Sequence, residues 1–175
     1  MTEKVFTLLT EAQITKRVNA LAEEIAADLG PEPHVVGLFK GAFVFAADLI
    51  RAMHRHGVEP TMDFMHISSY GDGTESSGQV ELNIDCRDNL EGRQVLVVDD
   101  ILDSGNSLTF AVEHLKKKGA ERVTTCVLMD KPSRRTLPIK ADYIGFQVPN
   151  LFVVGYGMDY AERYRELPYI ASIRK

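Results

Sequence analysis

The stretch from Val95 to Leu108 constrains the fold more than any other part of the chain. It reads VLVVDDILDSGNSL, which is four apolar residues, two acids, an apolar pair and a turn of small polar residues. A continuous apolar run of this kind is typical of a strand buried on both faces of a sheet. The segment after the turn, residues 107–118, has helical composition and is closed by Gly119. The stretch therefore predicts a buried strand, a short polar turn and a helix.

Further strands and helices are predicted on both sides of this stretch. Helices are expected at residues 10–29, where Thr10 and Gln13 form a capping box, and at residues 42–56. Strands are expected at residues 34–39, 62–67, 79–84, 94–98, 122–129, 141–146 and 151–154. Because strands alternate with helices and the central strands are continuously apolar, we predict an α/β fold with a mainly parallel central sheet flanked by helices. We also expect a single domain over residues 1–175, at the usual ~100 to 200 residues per domain.

Composition excludes several classes of protein. The formal net charge is −5, which argues against a nucleic-acid partner. The two cysteines, Cys86 and Cys126, lie singly in apolar stretches, so neither a disulfide framework nor a paired-cysteine metal site is predicted. The apolar runs fall short of the ~20 residues that span a bilayer, and no export signal is visible. We therefore expect a cytoplasmic protein without a membrane partner.

The two acids and the polar turn together suit a sugar phosphate. Ligands of parallel sheets bind at the carboxyl ends of strands, where Asp99 and Asp100 could accept from ribose hydroxyls or bind Mg²⁺. The turn would direct backbone N–H groups and hydroxyls at one phosphate, beside the positive end of a helix. It consists of Asp103, Ser104, Gly105, Asn106 and Ser107. The structural alternative is that Asp103 or Ser104 only caps the helix.

This stretch resembles the phosphoribosyl-pyrophosphate (PRPP) signature of the type I phosphoribosyltransferases. That signature has four hydrophobic residues, two acids, a hydrophobic pair, Asp-Ser/Thr-Gly and then Ser or Thr. Within the family the chain resembles the purine-salvage branch, which acts on hypoxanthine and guanine. Asp99 stands where that branch usually has Glu, and Ser107 where it often has Thr, but both changes keep the functional group. The resemblance spans the motifs from Lys40 to Pro168.

The resemblance implies a fold and an activity. The parallel sheet would carry a small hood formed by terminal segments, and a base-binding segment at about residues 141–170. The 5-phosphoribosyl group would pass from PRPP to N9 of hypoxanthine, and of guanine as well, giving IMP or GMP and pyrophosphate. Mg²⁺ would be required, and the chain would form homodimers or homotetramers.

The resemblance also implies roles for particular residues. Asp103 would be the catalytic base that takes the proton from N7 of the purine. The pyrophosphate would be bound by Lys40, Gly41, Ser69, Tyr70 and Arg165. The purine would be bound by Lys131, Phe152, Val153 and Asp159, with Phe152 stacking on the ring and Lys131 donating to O6. The metal would lie near Asp99, Asp100 and Asp159. Family members often have a cis peptide at the bond that is Phe39-Lys40 in this sequence.

Residues 68–79 form a polar stretch that is rich in serine and glycine and has no aliphatic side chain. The bland interpretation is a surface loop between two strands. The position of this stretch between two strands, and the sequence Ser69-Tyr70-Gly71 near its beginning, instead resemble the family's lid. That lid would cover the pyrophosphate and exclude water from the reacting centre.

Other functions are compatible with the same or similar sequence motifs and stay open at this point. A regulator that senses PRPP would keep the sugar-phosphate site, but it would need a basic surface for nucleic acid. An enzyme preferring xanthine would share every motif. A two-component receiver domain also has an acid pair and a Lys-Pro pair, matched by Lys131-Pro132, but its acids lie near the N-terminus. Here 98 residues precede Asp99, which disfavours that interpretation.

Overall fold

The computed structural model describes residues 4–69 and 80–174. The helices are α1 (Glu11–Leu29), α2 (Phe43–His54) and α3 (Asn106–Lys117), with a 3₁₀ turn at Pro132–Arg134. The strands are β1 (Lys4–Leu9), β2 (His34–Phe39), β3 (Thr61–Ser69), β4 (Val80–Ile84), β5 (Gln94–Leu102), β6 (Arg122–Asp130), β7 (Tyr143–Gln147), β8 (Val153–Val154) and β9 (Ile170–Arg174).

The central sheet has six strands in the order β4-β3-β2-β5-β6-β7. Every neighbouring pair is parallel except β3 and β4, which are antiparallel. The side chains of β5 alternate between two apolar cores: Leu96 and Val98 pack with α1 and α2, whereas Val95 and Val97 pack with α3. This two-sided burial explains the continuous apolar run in the sequence. The predicted α/β fold with a mainly parallel sheet is confirmed.

A second, antiparallel sheet has the strand order β1-β9-β8 and is called the hood below. It joins the N-terminal segment to the C-terminal one, so the expected hood of terminal segments is confirmed. Strands β1 and β9 were not predicted from the sequence. The hood and the turn after β8 pack on the core beside α1 and α2, through Val153, Tyr156, Met158 and Ile170.

Strand β5 runs on to Leu102 instead of ending at Val98. It pairs with β6 as far as Leu102 opposite Asp130, but its pairing with β2 stops at Val98. The acid pair therefore lies inside a strand, at the point where that strand has lost one neighbour.

The N-terminus of α1 has the capping box expected from the sequence. Gln13 N donates to Thr10 Oγ1 at 3.3 Å, and Thr10 N donates to Gln13 Oε1 at 2.9 Å. The predicted start of this helix is thus confirmed. Within residues 4–69 and 80–174, no helix is long and apolar enough to cross a membrane.

Candidate active site

The acid pair lies at the open edge of β5. Asp99 is 8% exposed, and its Oδ1 accepts from Asp100 N at 2.9 Å. Asp100 Oδ1 in turn accepts from Ile101 N at 2.8 Å. Burial, with the neighbouring Asp100 charge, raises the pKa of Asp99 well above its usual range, and burial also raises the pKa of Asp100. The pair thus holds negative charge that a cation or hydroxyl donors would stabilise.

The turn after β2 packs directly against this pair. A Cβ at Gly41 would come within 1.8 Å of Asp100 Oδ2, so only glycine allows the two segments to approach this closely. The Phe39-Lys40 peptide bond is cis, as the resemblance implied. The Lys40 side chain is 57% exposed, and its ammonium donates to Glu162 Oε1 at 3.3 Å.

The polar turn and the acid pair line one cleft of about 360 Å³. The residues around it are Leu38, Phe39, Ile67, Asp99, Asp100, Ile101, Leu102, Asp103, Ser104, Gly105, Asn106, Ser107, Leu108 and Arg134. The N-terminus of α3 adjoins this cleft and contributes about half a positive charge. The cleft therefore combines a carboxylate side with a side suited to an anion.

The N-cap of α3 is Gly105, with φ +97°, and no side chain caps the helix from that position. Ser104 Oγ accepts a long hydrogen bond from Asn106 N, at 3.4 Å. The N-cap residue of α3 is therefore neither Asp103 nor Ser104, and the phosphate-binding role of this turn stays a prediction.

Asp103 has a cationic partner that sequence reasoning missed. Arg134 Nε donates to Asp103 Oδ1 at 3.2 Å, and both side chains are about half exposed, at 51% and 40%. The 3₁₀ turn at Pro132–Arg134 brings Arg134 back over the polar turn. A basic pair, Arg134-Arg135, three residues after the candidate purine lysine was the available signal.

Lys131 lies at the end of β6 and is buried, with 7% of the residue exposed. Its backbone N donates to Leu102 O at 3.0 Å. Burial lowers the pKa of the Lys131 ammonium, against the raising effect of Asp103. Among residues 4–69 and 80–174 the ammonium has no hydrogen bond or ion pair, which leaves it available to an acceptor on a ligand.

The C-terminal turn after β8 reaches the Lys40 turn. Gly157, at φ +98°, lies so close to Gly41 that a Cβ there would be 2.5 Å from Gly41 O. Arg165 pairs with Asp159 at 2.9 Å and with Glu162 at 3.4 Å. Glu162 therefore bridges Lys40 and Arg165, the two cations expected to bind pyrophosphate, and its role was not foreseen from the sequence.

Phe152 is exposed, at 53%, and meets Tyr160 edge to face with ring centroids 5.3 Å apart. Phe152 is therefore not a core residue, and about half of its surface is accessible. Val153 is buried in β8, opposite Ser172 of β9.

The expected metal residues are not gathered into one cluster. In the part of the chain that the structure describes, no three His, Cys, Asp or Glu side chains converge as ligands. Asp159 has both oxygens engaged, Oδ1 by Arg165 and Oδ2 by Glu162 N at 2.8 Å.

The lid assignment stays a prediction, because Tyr70 and residues 71–79 lie outside the described residues. Ser69 ends β3, and its side chain is not described either.

Fold and site together define a class of protein. A cleft at the carboxyl edge of a parallel sheet, with buried carboxylates, a glycine-containing turn at a helix N-terminus and nearby cations, has the chemistry that suits a phosphorylated sugar. The chain matches the phosphoribosyl transferase domain family over residues 6–161, and it belongs to that family. The resemblance inferred from the PRPP signature is thus confirmed.

Several relatives are similar over nearly the whole chain. Hypoxanthine-guanine phosphoribosyltransferase of Bacillus subtilis is 45% identical over 173 residues, which is 98% of this chain and 93% of that protein. A crystal structure of a hypoxanthine-guanine phosphoribosyltransferase from Bacillus anthracis superposes with a TM-score of 0.90 at 42% identity, covering 99% of this chain and 100% of the other. A bifunctional TilS/HprT protein of Listeria innocua is 46% identical over 168 residues, and there the match spans 95% of this chain but only 26% of the relative.

Proposed function

We propose that this protein transfers the 5-phosphoribosyl group of PRPP to N9 of hypoxanthine and guanine, releasing pyrophosphate. The observation that carries the proposal is the cleft in which the acid pair and the polar turn meet. Its turn suits the 5-phosphate and its carboxylates suit the ribose hydroxyls. Relatives with the corresponding names, similar over nearly the whole chain, support the same activity.

The two phosphate-bearing ends of PRPP would be bound by different elements. The turn of residues 103–107 would hold the 5-phosphate at the N-terminus of α3. Lys40 and Arg165, which Glu162 brings together, would hold the pyrophosphate. Each end would be held by charge, which orients the anomeric carbon between them.

The base would lie between the hood and the end of β6. Phe152 offers an aromatic ring that is about half accessible, and Lys131 a buried ammonium that can donate to O6 of a 6-oxopurine. Adenine carries an amino group at that position, so a donor there favours hypoxanthine and guanine over adenine. Val153 would contact the base edge through its backbone.

The reaction would exchange two bonds at the anomeric carbon. The bond from C1 to the pyrophosphate oxygen breaks, the bond from N9 to C1 forms, and the N7 proton passes to a base. Asp103 is the assigned base, since it is an acidic residue that lines the cleft. Positive charge that develops on the sugar would be stabilised by the carboxylates of Asp99 and Asp100.

The acid pair also fits a divalent cation. Carboxylates are hard oxygen ligands, and a bound cation would relieve the unfavourable burial of Asp99 and Asp100. Magnesium is usually held by one or two carboxylates together with phosphates and water, so a three-residue protein cluster is not needed. Mg²⁺ bound with PRPP would neutralise the leaving pyrophosphate. We assign Asp159 a place near the metal's water shell.

The decisive assay is consumption of PRPP with one base at a time: hypoxanthine, guanine, xanthine, adenine and uracil, with and without Mg²⁺. We expect Mg²⁺-dependent formation of IMP and GMP, and little reaction with adenine or uracil. A xanthine-preferring enzyme would reverse the order among 6-oxopurines. A PRPP sensor would bind PRPP in a calorimeter and consume none, which would contradict the proposal.

A further inference from the structure

Arg135 occupies an unusual position between the two halves of the candidate site. Its side chain is only 15% exposed. Nε donates to Asp103 O at 3.0 Å, Nη1 to Ile139 O at 2.6 Å, and Nη2 to Leu102 O at 3.3 Å. Nη2 also pairs with the carboxylate of Asp130. The guanidinium is thus almost fully engaged by the protein itself.

These contacts fall where β5 and β6 separate. The last paired position is Leu102 opposite Asp130. Beyond it, one strand leads into the polar turn through Asp103 and the other leads to Lys131. Arg135 binds the carbonyls on the first side and the carboxylate on the second, so it joins the two strand ends just before they diverge.

The ion pair with Asp130 is buried as well. The Asp130 side chain is 8% exposed, and a carboxylate so placed requires a cationic or hydrogen-bonding partner. The planar guanidinium can bind a carboxylate and several carbonyls at once, whereas a lysine ammonium cannot reproduce that fork. The polar turn also packs on this side chain, since a Cβ at Gly105 would be 3.3 Å from Arg135 Cδ.

We infer that Arg135 is a positioning residue that sets the separation between the carboxylate of Asp103 and the ammonium of Lys131. This inference rests on the proposed function, in which the first group takes the N7 proton and the second binds O6 of one purine. Arg135 touches neither reacting group through its own side chain. It holds the backbone of Asp103 and the residue before Lys131.

The first test compares Arg135→Lys with Arg17→Lys. Arg17 is a matched control, because it also donates to two backbone carbonyls, Gly145 O and Ile144 O, and pairs with a carboxylate, Glu24, away from the cleft. We expect kcat/KM for hypoxanthine to fall about 100-fold in Arg135→Lys, the loss typical of a misplacement of about 1 Å. Selectivity for hypoxanthine over adenine should fall too. Arg17→Lys should change neither quantity more than a few-fold.

Measuring PRPP binding distinguishes two effects of Arg135→Lys. One is misplacement of the groups that contact the purine, and the other is disruption of the whole site. The polar turn keeps two other backbone contacts in Arg135→Lys, from Thr136 N and Leu137 N to Ser104 O at 3.0 and 3.2 Å. The Kd for PRPP should therefore stay within a few-fold of the unmodified chain. An equal loss of PRPP affinity and purine turnover would overturn the inference in favour of general disruption.

The second test separates positioning from stability. Arg135→Gln alone leaves the Asp130 carboxylate buried without its cation and should lower Tm. Adding Asp130→Asn removes that charge and should recover most of the Tm. Hypoxanthine turnover should stay low, because Asp103 O has lost the donor that Arg135 supplied and Leu102 O keeps only Lys131 N. Recovery of turnover together with Tm would mean that Arg135 only neutralises Asp130, and would overturn the inference.

The activities of the unmodified chain and of Arg17→Lys distinguish failure of this inference from failure of the proposed function. If neither consumes PRPP with any 6-oxopurine, the proposed function fails and this inference fails with it. If both are active and Arg135→Lys retains full turnover and selectivity, the proposed function stands and Arg135 has no positioning role.

Discussion

Asp103 is the residue on which the proposed chemistry depends most. It lines the cleft, and its carboxylate pairs with Arg134 at 3.2 Å. Asp103→Asn removes the proton acceptor but keeps the shape and the hydrogen-bonding reach of the side chain. We expect kcat to fall by about 10²- to 10⁴-fold, the usual contribution of a positioned base, with PRPP binding retained. Single-turnover kinetics and calorimetry with PRPP measure the two quantities.

Asp28→Asn is the control for that experiment. Asp28 bonds Arg122 and Tyr143 on the surface and is not among the residues lining the cleft. It should leave kcat unchanged. Full activity in Asp103→Asn would show that another group takes the proton.

Glu162 occupies the place between two cations where an anionic ligand is expected. It bonds Lys40 and Arg165, and the hydrogen bond from Lys40 lowers the pKa of its carboxyl. Because pyrophosphate must compete with this carboxylate, Glu162→Gln should tighten pyrophosphate binding by about two- to fivefold, in keeping with the small strength of exposed ion pairs. Calorimetry with pyrophosphate measures the gain, which should shrink as salt is added.

Glu166→Gln makes the same change in net charge nearby and serves as the control for Glu162→Gln. Glu166 is exposed and is four residues further along the same segment. An equal gain in pyrophosphate affinity in both variants would mean that the net charge of this region, and not the contacts of Glu162, determines the affinity. Weaker binding in Glu162→Gln would show that Glu162 orders Lys40 and Arg165 for the ligand.

Residues that are neighbours in sequence were the ones that could be predicted. The acids and the polar turn share one short stretch, so their chemistry was readable without a fold. Arg134, Arg135 and Glu162 escaped prediction because each acts through a partner that is distant in sequence, as Glu162 does with Lys40. A charged residue in a loop has no local pattern that separates such a partner from a solvated surface group.

At the level of elements, the start of β2 contains a buried histidine. His34 is fully buried, and its Nδ1 lies 2.8 Å from Thr61 Oγ1. Burial lowers its pKa, as does Arg93, while Asp88 and Asp63 act in the opposite direction. The folded protein thus favours the neutral ring more than the unfolded chain does.

This burial predicts a pH dependence of stability. The unfolded chain binds a proton at His34 near pH 6.5, and the folded chain binds it only at lower pH. The contribution is complete above pH 6.5 and is lost as the pH falls through the folded pKa. Urea unfolding from pH 5 to 8 should show a smaller loss below pH 6.5 for His34→Gln than for the unmodified chain. The exposed His56→Gln is the control, and identical curves for all three would contradict the prediction.

The turn between β5 and α3 depends on glycine for two separate reasons. Gly105 has φ +97°, and a Cβ there would also be 2.6 Å from Ile139 Cγ2. Gly92 has φ +68° with nothing within 4 Å, so Gly92→Ala suffers the backbone strain alone. That strain is worth roughly 1–2 kcal/mol.

We therefore expect Gly105→Ala to lower the free energy of unfolding by more than Gly92→Ala does. It should also weaken PRPP binding, because the turn that would hold the 5-phosphate is displaced. Chemical denaturation and calorimetry measure the two effects. Equal losses of stability with intact PRPP affinity would show that the contact with Ile139 is unimportant.

The elements that could be predicted are those whose burial is nearly complete. Strands β2, β5 and β6 are apolar over most of their length, and α1 has a regular apolar face with a capping box. Strand β1 has no fully buried residue and pairs with β9 across the length of the chain. Neither strand has the alternation of apolar and polar residues that identifies a strand from sequence. Their pairing depends on a contact between the two ends of the chain, which a local sequence pattern does not predict.

For the molecule as a whole, the relation between the hood and the central sheet decides how it unfolds. Val153 and Ile170 of the hood, with Tyr156 of the turn after β8, share one core with α1 and α2. Tyr156 also donates from its hydroxyl to Asp48 of α2 at 2.6 Å. A hood attached in this way should not unfold separately, as the prediction of one domain over residues 1–175 requires.

The chain contains no tryptophan, so a single introduced one reports on the hood without background. Phe152→Trp places the indole on the proposed stacking face, and Phe6→Trp places it on β1, where the native ring is 46% exposed. In urea, the fluorescence of each variant should change at the same midpoint as its far-ultraviolet circular dichroism. An earlier fluorescence midpoint in either variant would show that the hood unfolds by itself.

The same two variants test where the purine binds. Adding GMP should quench the fluorescence of Phe152→Trp, because the introduced indole would stack on the base. The fluorescence of Phe6→Trp should stay unchanged, since β1 lies at the far edge of the hood from β8. An equal response in both variants would place the base elsewhere on the molecule.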